Sequence, residues 1–343
     1  MDVTYDEENL DLHPVADTRK LVDQVPIIDV GDLINDTQSA VAANAIDEMA
    51  DACRSWGFFQ VVNHGICSAQ IAEVWRQTQL FFQLPTEEKL QIVRNKENPW
   101  GFYNNELTKN QRDKKEVFDF TLDGVDPIYG MRNRWPQNPT QFRTIMESWR
   151  DACTDLSLTL LEGFCLGLNL PATFMHGDFA DEHTGFVRLN YYPIDDPLAA
   201  YSKDLQSNAD LGIHHHTDAG ALTVLLQDDV GGLQVYRDGY WHNIPCVEDA
   251  LVINTGDMMQ VWSNDVYKAA IHRVLAMENT ERYSIPFFLN PSASAVVEPL
   301  PSVISKDNPA VYHPIEWGHF RGQRSYGDYA DLGSEIQIAQ YRK

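Results

Sequence analysis

Three imidazoles and a carboxylate stand together in Ile213-His214-His215-His216-Thr217-Asp218. On an extended backbone residues i and i+2 point to the same face, about 6 to 7 Å apart, so His216 and Asp218 can converge on one point, as two ligands of one cation do. A third imidazole, His272, follows in Lys268-Ala269-Ala270-Ile271-His272-Arg273-Val274, on what the pattern reads as another strand. Two histidines and one carboxylate on strand ends form the facial set that holds non-haem Fe(II) on three corners of an octahedron, with three positions left open. A structural zinc site would be closed, tetrahedral and usually rich in cysteine, and no cysteine lies in these segments.

Downstream of His272 comes Arg282-Tyr283-Ser284, again an i, i+2 pair on a strand pattern. Arginine presents a rigid fork suited to a carboxylate, and a hydroxyl on the same face adds a third hydrogen bond. Alone, the pair would read as a surface ion pair and a satisfied strand hydroxyl. Beside an iron site it reads as a receptor for the far end of a dicarboxylate. If the near end is a 2-oxo acid, its keto oxygen and carboxylate can chelate two open iron positions and leave the third for O2.

The elements that must position these groups follow from the change in hydrophobic period near residue 184. Before it the apolar spacing is helical, over Ala40 to Trp56, Ala69 to Phe82 and Phe142 to Leu168, with a short strand pair at Val25 to Val30 and Gly57 to Asn63. Pro85-Thr86-Glu87-Glu88 reads as a helix start capped by Thr86. From Thr184 to Leu289 eight short strands are expected: 186–192, 222–227, 233–236, 240–243, 250–255, 258–262, 268–274 and 283–289. This spacing predicts an α+β, mainly β chain with a double-sheet jelly roll or barrel rather than βαβ units. The expected regions are 1–183, largely helical with a substrate-wall segment, the core at 184–290, and a C-terminal segment at 291–343 with a helix around Pro309 to Phe320.

The 343 residues carry 26 basic against 50 acidic side chains, a formal charge of -24, so nucleic acid and anionic membrane surfaces are poor partners. No apolar run is long enough to span a bilayer and the N-terminus has no secretory pattern, which leads us to expect a cytoplasmic protein. Cys53, Cys67, Cys153, Cys165 and Cys246 are odd in number and free of C-x-x-C, and are expected to be buried thiols of a reducing compartment.

The chain resembles the Fe(II)/2-oxoglutarate-dependent dioxygenases of the isopenicillin N synthase-like family, the group that includes many plant biosynthetic dioxygenases. The resemblance rests on stretches in the family's order, among them Trp56-Gly57-Phe58-Phe59-Gln60-Val61-Val62-Asn63-His64-Gly65, Asn190-Tyr191-Tyr192-Pro193, His216-Thr217-Asp218, Asn254-Thr255-Gly256-Asp257, His272-Arg273-Val274 and Arg282-Tyr283-Ser284. It implies a double-stranded β-helix with a helical N-terminal half packed against it, and His216, Asp218 and His272 as iron ligands. It also implies that Arg282 and Ser284, helped by Asn190 and Tyr192, bind 2-oxoglutarate. His64 matches a motif without evident chemistry and reads as structural, while His214, on the face of His216, is a candidate supporting group or a competing ligand.

The activity so implied is oxidation of a C–H bond of a small metabolite with O2 and 2-oxoglutarate as co-substrates, releasing succinate and CO2, in secondary metabolism. Hydroxylation is the default; desaturation or ring closure can follow the same hydrogen abstraction. An iron oxidase that uses no 2-oxo acid and a non-catalytic metal-binding barrel are the competing readings. Between Arg94 and Arg134 eight basic residues meet seven acidic ones, a basic island in an acidic chain that would favour an anionic substrate. Lys109, Arg112 and Arg134 are the candidates for a substrate carboxylate, with Tyr103, Phe118 and Phe120 as candidate pocket walls. A monomer or weak oligomer is expected.

Overall fold

The computed structural model describes residues 10, 13–16, 24–108, 111–179, 183–195, 211–277, 279–326 and 336–343. Its strands are β1 (Ile27–Asp29), β2 (Phe58–Val62), β3 (Gly101–Tyr103), β4 (Leu107–Thr108), β5 (Gln111–Arg112), β6 (Glu116–Thr121), β7 (Phe186–Tyr192), β8 (Leu211–His216), β9 (Leu222–Gln227), β10 (Leu233–Arg237), β11 (Tyr240–Asn243), β12 (Leu251–Thr255), β13 (His272–Leu275), β14 (Arg282–Leu289), β15 (Val296–Val297) and β16 (Ile315–Glu316). The helices are α1 (Gly31–Asn35), α2 (Ala43–Ser55), α3 (Ser68–Phe82), α4 (Thr86–Lys89), α5 (Phe142–Gly167), α6 (His176–Phe179), α7 (Asp257–Trp262) and α8 (Trp317–Tyr326).

Period-two alternation sorts the strand residues between two cores. An eight-stranded sheet runs β1-β2-β12-β9-β14-β7-β6-β3, and a four-stranded sheet runs β11-β10-β13-β8. Val252, Leu225 and Phe58 face the four-stranded sheet and pack with Val235 and Val274. Their neighbours Ile253, Val224, Leu226 and Phe59 face the other way, where they pack with Leu156, Leu160 and Phe164 of α5. α5 in turn packs against α2 and α3. The helices therefore stiffen one face of the large sheet, and the site forms between the two sheets.

Most expected elements appear within a few residues of their predicted bounds, and the departures have local causes. Residues 258–262 form helix α7, not a strand; Met-Met-Gln-Val-Trp is a short apolar run that fits either period. The amides of Asp257 and Met258 donate to the carbonyls of Asp218 (2.7 Å) and Gly220 (3.0 Å), so this helix start grips the turn after His216. Thr86 is the first residue of α4 and gives no side-chain cap; Pro85 occupies the cap position. The C-terminal helix begins at Trp317, later than expected. Strand β6, unforeseen, pairs with both β3 and β7. Cys53, Cys153 and Cys165 are buried as expected, whereas Cys67 and Cys246 are exposed.

Gly57 shows how the Trp-Gly-Phe-Phe stretch serves the site. Its φ of +65° is in the left-handed region, and a Cβ would lie 2.3 Å from the carbonyl oxygen of Lys268, on the segment leading to His272. Gly57→Ala is expected to destabilise the protein by about 1–3 kcal/mol, read as a lower urea midpoint. An unchanged midpoint would show that the 268–270 segment yields freely.

Candidate metal and oxo-acid site

Strands β8 and β13 are antiparallel neighbours, and their register sets His272 directly opposite His216. The two rings lie 4.3 Å apart. Asp218, just past the end of β8, brings Oδ1 to 3.7 Å from His216 Nε2 and 3.6 Å from His272 Nε2. The three ligand atoms all fall within 4.8 Å of one another, the only such group of three among the described residues.

Each ligand is oriented from behind. His216 Nδ1 donates to the carbonyl of His214 (2.8 Å) and His272 Nδ1 to that of Ala270 (3.0 Å), which leaves both Nε2 lone pairs facing the common point. Phe58 packs edge-on against His272 at 5.2 Å. Asp218 Oδ2 accepts from Thr223 Oγ1 (2.5 Å) and Asn254 Nδ2 (2.8 Å), so Oδ1 is the oxygen turned to the imidazoles. Burial and the adjacent His272 push His216 down to about 3, keeping its imidazole neutral. Burial alone would raise the Asp218 carboxyl, but the two imidazoles and its two donors hold it below the usual carboxylate range. A neutral His216 imidazole beside an ionised Asp218 carboxylate suits a divalent cation.

Thr223 and Asn254 were not expected to take part; the Asn254-Thr255-Gly256-Asp257 motif was the available signal. Asn254→Ala is expected to weaken Fe(II) affinity about 10- to 100-fold in anaerobic metal titration. Unchanged affinity would contradict a supporting role for Asn254.

The second predicted group assembles on β7 and β14, where Arg282 pairs with Tyr192 and Ser284 with Asn190. The Arg282 guanidinium lies 4.9 Å over the Tyr192 ring, and Asn190 Nδ2 donates to Ser284 Oγ (3.3 Å). Arg282 is 1% exposed. Its Nε donates to the carbonyl of Gly231 (2.6 Å), yet among the described residues Nη1 and Nη2 have no hydrogen-bond partner, and neither does Asn190 Oδ1. A buried cation with two unsatisfied nitrogens is costly unless an anion completes it. That fits the residues to a bound carboxylate.

One cavity of about 170 Å³ joins the two groups, lined by His216, Asp218, His272, Asn190, Tyr192, Arg282 and Ser284. The expected substrate residues are placed differently. Phe118 and Phe120 are fully buried in an aromatic core with Phe81, Trp135 and Phe142, away from the cavity wall. Tyr103 lies under the Arg94 guanidinium, Arg134 Nη1 donates to the Val93 carbonyl, and Arg112 sits on β5 opposite Leu107; none of the three lines the cavity. Lys109 lies outside the described residues.

Much of the basic island is internally neutralised. Arg94 pairs with Glu106 and Asp119, and Lys115 with Glu106 (2.6 Å) and Asp113 (3.0 Å). Asp113 also holds His214 Nδ1 at 3.0 Å, so His214 stands apart from the three ligands as part of their support. His64 is structural: its Nδ1 accepts from the Ile66 amide and its Nε2 bonds the Asp249 carbonyl.

A His-Asp-His group beside a buried arginine with two unsatisfied nitrogens is a donor set that would fit a non-haem Fe(II) ion and an oxo-acid carboxylate. Comparison with known proteins agrees. Residues 183–291 match the model of the 2OG-Fe(II) oxygenase superfamily, and residues 25–138 match that of the non-haem dioxygenase in morphine synthesis N-terminal region. Among relatives, DMR6-like oxygenase 2 of Arabidopsis thaliana is 31% identical, over 90% of this chain and 87% of its own length. Flavanone 3-dioxygenase 2 of Oryza sativa subsp. japonica is 35% identical, over 87% and 82%. The crystal structure of JOX2 in complex with 2OG, Fe and JA superimposes with a TM-score of 0.77 at 27% identity, covering 93% of this chain and 89% of that one. The chain belongs to the 2OG-Fe(II) oxygenase superfamily and is a 2-oxoglutarate-dependent dioxygenase, with Fe(II) and 2-oxoglutarate as its cofactor and co-substrate.

Proposed function

We propose that His216, Asp218 and His272 hold the iron, that Arg282 and Ser284, with Asn190 and Tyr192, hold the distal carboxylate of 2-oxoglutarate, and that the reaction is hydroxylation of a small, anionic metabolite. The two unpartnered nitrogens of the buried Arg282 carry this reading. When bound, iron and 2-oxoglutarate together supply the oxidising chemistry, with O2 consumed and succinate and CO2 released.

The protein's part is positioning and exclusion. The Nε2 atoms of His216 and His272 and Oδ1 of Asp218 would hold the metal. Arg282 and Ser284 fix the far end of the oxo acid, which sets where its keto end can reach. Phe58, Leu225, Leu233 and Val274 line the cavity and limit water there.

We read the two facing sheets as the halves of a double-stranded β-helix formed by 184–290, with 1–183 and 291–343 as its flanking regions. The opposed register of β8 and β13 and the two-sided burial of β9 and β12 support that reading. Five unpaired cysteines are what a reducing cytoplasm gives. A flavanone dioxygenase among the relatives and a neighbouring structure in complex with JA support small oxygenated ring compounds as substrates. The test is succinate production from 2-oxoglutarate by Fe(II)-loaded protein over a panel of such metabolites. Stimulation by one of them supports the proposal. Substrate oxidation without succinate would favour an iron oxidase independent of 2-oxo acids.

A further inference from the structure

Five cations line the cavity: Lys115, Arg188, Arg282, Arg321 and Arg324. Three are already committed. Lys115 is neutralised by Glu106 and Asp113. Arg188 is held by Asp119 (2.8 Å) and Glu106 (2.8 Å). Arg324 spends its nitrogens on the carbonyls of Ile336 (2.9 Å) and Thr217 (3.1 Å). Arg282 is assigned above to the oxo acid. Arg321 is left: among the described residues no carboxylate lies within ion-pair distance of its guanidinium, which rests 5.0 Å over the Phe186 ring. Asp126, the carboxylate that feels its charge, is turned to the amides of Ile128 and Tyr129 instead.

Arg321 is also held in place. Helix α8 is pinned at one end by Trp317 Nε1, which donates to Thr184 Oγ1 (2.7 Å), and at the other by Arg324 on Thr217, the residue between two of the metal ligands. Tyr129 OH donates to Ser325 Oγ (2.8 Å) and braces the C-terminal end of the same helix. Next to Arg321, Phe186 stacks on Phe288 at 4.6 Å and 25°, both facing the cavity. A guanidinium beside an apolar aromatic wall complements a carboxylate carried on an aromatic or alicyclic body.

We propose that Arg321 is the specificity-determining residue of this site: it binds the carboxylate of the primary substrate, whose apolar body lies on Phe186 and Phe288. The inference rests on the iron and oxo-acid assignment and replaces Lys109, Arg112 and Arg134 as the substrate cation.

The test separates the two. Protein loaded with Mn(II) and N-oxalylglycine, an inert stand-in for iron and 2-oxoglutarate, is titrated calorimetrically with trans-cinnamate, 3-phenylpropionate and jasmonate, and with their methyl esters. At least one acid is expected to bind at least about tenfold more tightly than its ester. Arg321→Gln should erase that preference, Arg321→Lys should restore part of it, and affinity for N-oxalylglycine should stay unchanged in both variants. Equal binding of acid and ester, binding of esters alone, binding of no acid, or an acid preference that survives in Arg321→Gln overturns the inference and leaves the iron site standing. Failure of the Mn(II)–N-oxalylglycine complex to form would overturn the site assignment and this inference with it.

Discussion

Replacing Asp218 with alanine is expected to lower turnover by about three orders of magnitude or more while the protein stays folded. The carboxylate supplies the only negative charge of the triad, and Oδ1 stands within 3.7 Å of both imidazole Nε2 atoms. Without it two neutral imidazoles face a dication with no charge to balance it, so the metal is lost at ordinary concentrations. The substitution also leaves Thr223 Oγ1 and Asn254 Nδ2 without their acceptor, a cost of about 1–3 kcal/mol that a folded domain can bear. Circular dichroism should therefore be unchanged, metal binding absent and succinate release at background. His216→Ala is expected to behave alike. Full activity in either variant would refute the ligand assignment.

Arg282→Met is expected to raise the KM for 2-oxoglutarate about 10²- to 10³-fold, with a smaller fall in kcat at saturation. Two charge-assisted bonds to one carboxylate, in a position 1% exposed, account for a loss of that order. The same change should leave the ligand-free protein as stable as the parent or more so, because it removes a buried guanidinium whose Nη1 and Nη2 have no partner. A purely structural arginine would behave the other way: its loss would lower the melting temperature and leave the KM alone. Thermal melts with and without 2-oxoglutarate and Mn(II), beside steady-state kinetics, separate the two.

How far the sequence could be read depends on the range of the interaction involved. Spacing of two on a strand is a local property, so the pairings Arg282/Ser284 and Asn190/Tyr192 were legible, and the register of β7 against β14 adds that the pairs sit side by side. The meeting of His272 with His216 is non-local and depends on antiparallel pairing across a long connection; residue type and strand pattern made His272 a candidate third ligand, and the resemblance to a known family added weight to it. Arg188 was within reach, being two residues before Asn190 on the same strand face, and it lines the cavity. Phe118 and Phe120 were misplaced because β6 went unrecognised: six consecutive residues buried on both sides carry no alternation to betray which face each one takes. Lys115 and Arg94 show why a count of charges cannot identify a binding cation. Glu106 neutralises both, and it lies in the same stretch but belongs to no local motif with them. Arg321 is far from that island in sequence, on the C-terminal helix, and only the packing of α8 brings it to the cavity.

Anaerobic titration of metal-stripped protein, first with Fe(II) and then with 2-oxoglutarate, tests the shared metal point most directly. The account predicts one Fe(II) per chain and a visible charge-transfer band that appears only once 2-oxoglutarate is added, with Fe(II) uptake lost in His272→Ala. No band in the parent protein, or normal iron uptake in His272→Ala, would contradict it.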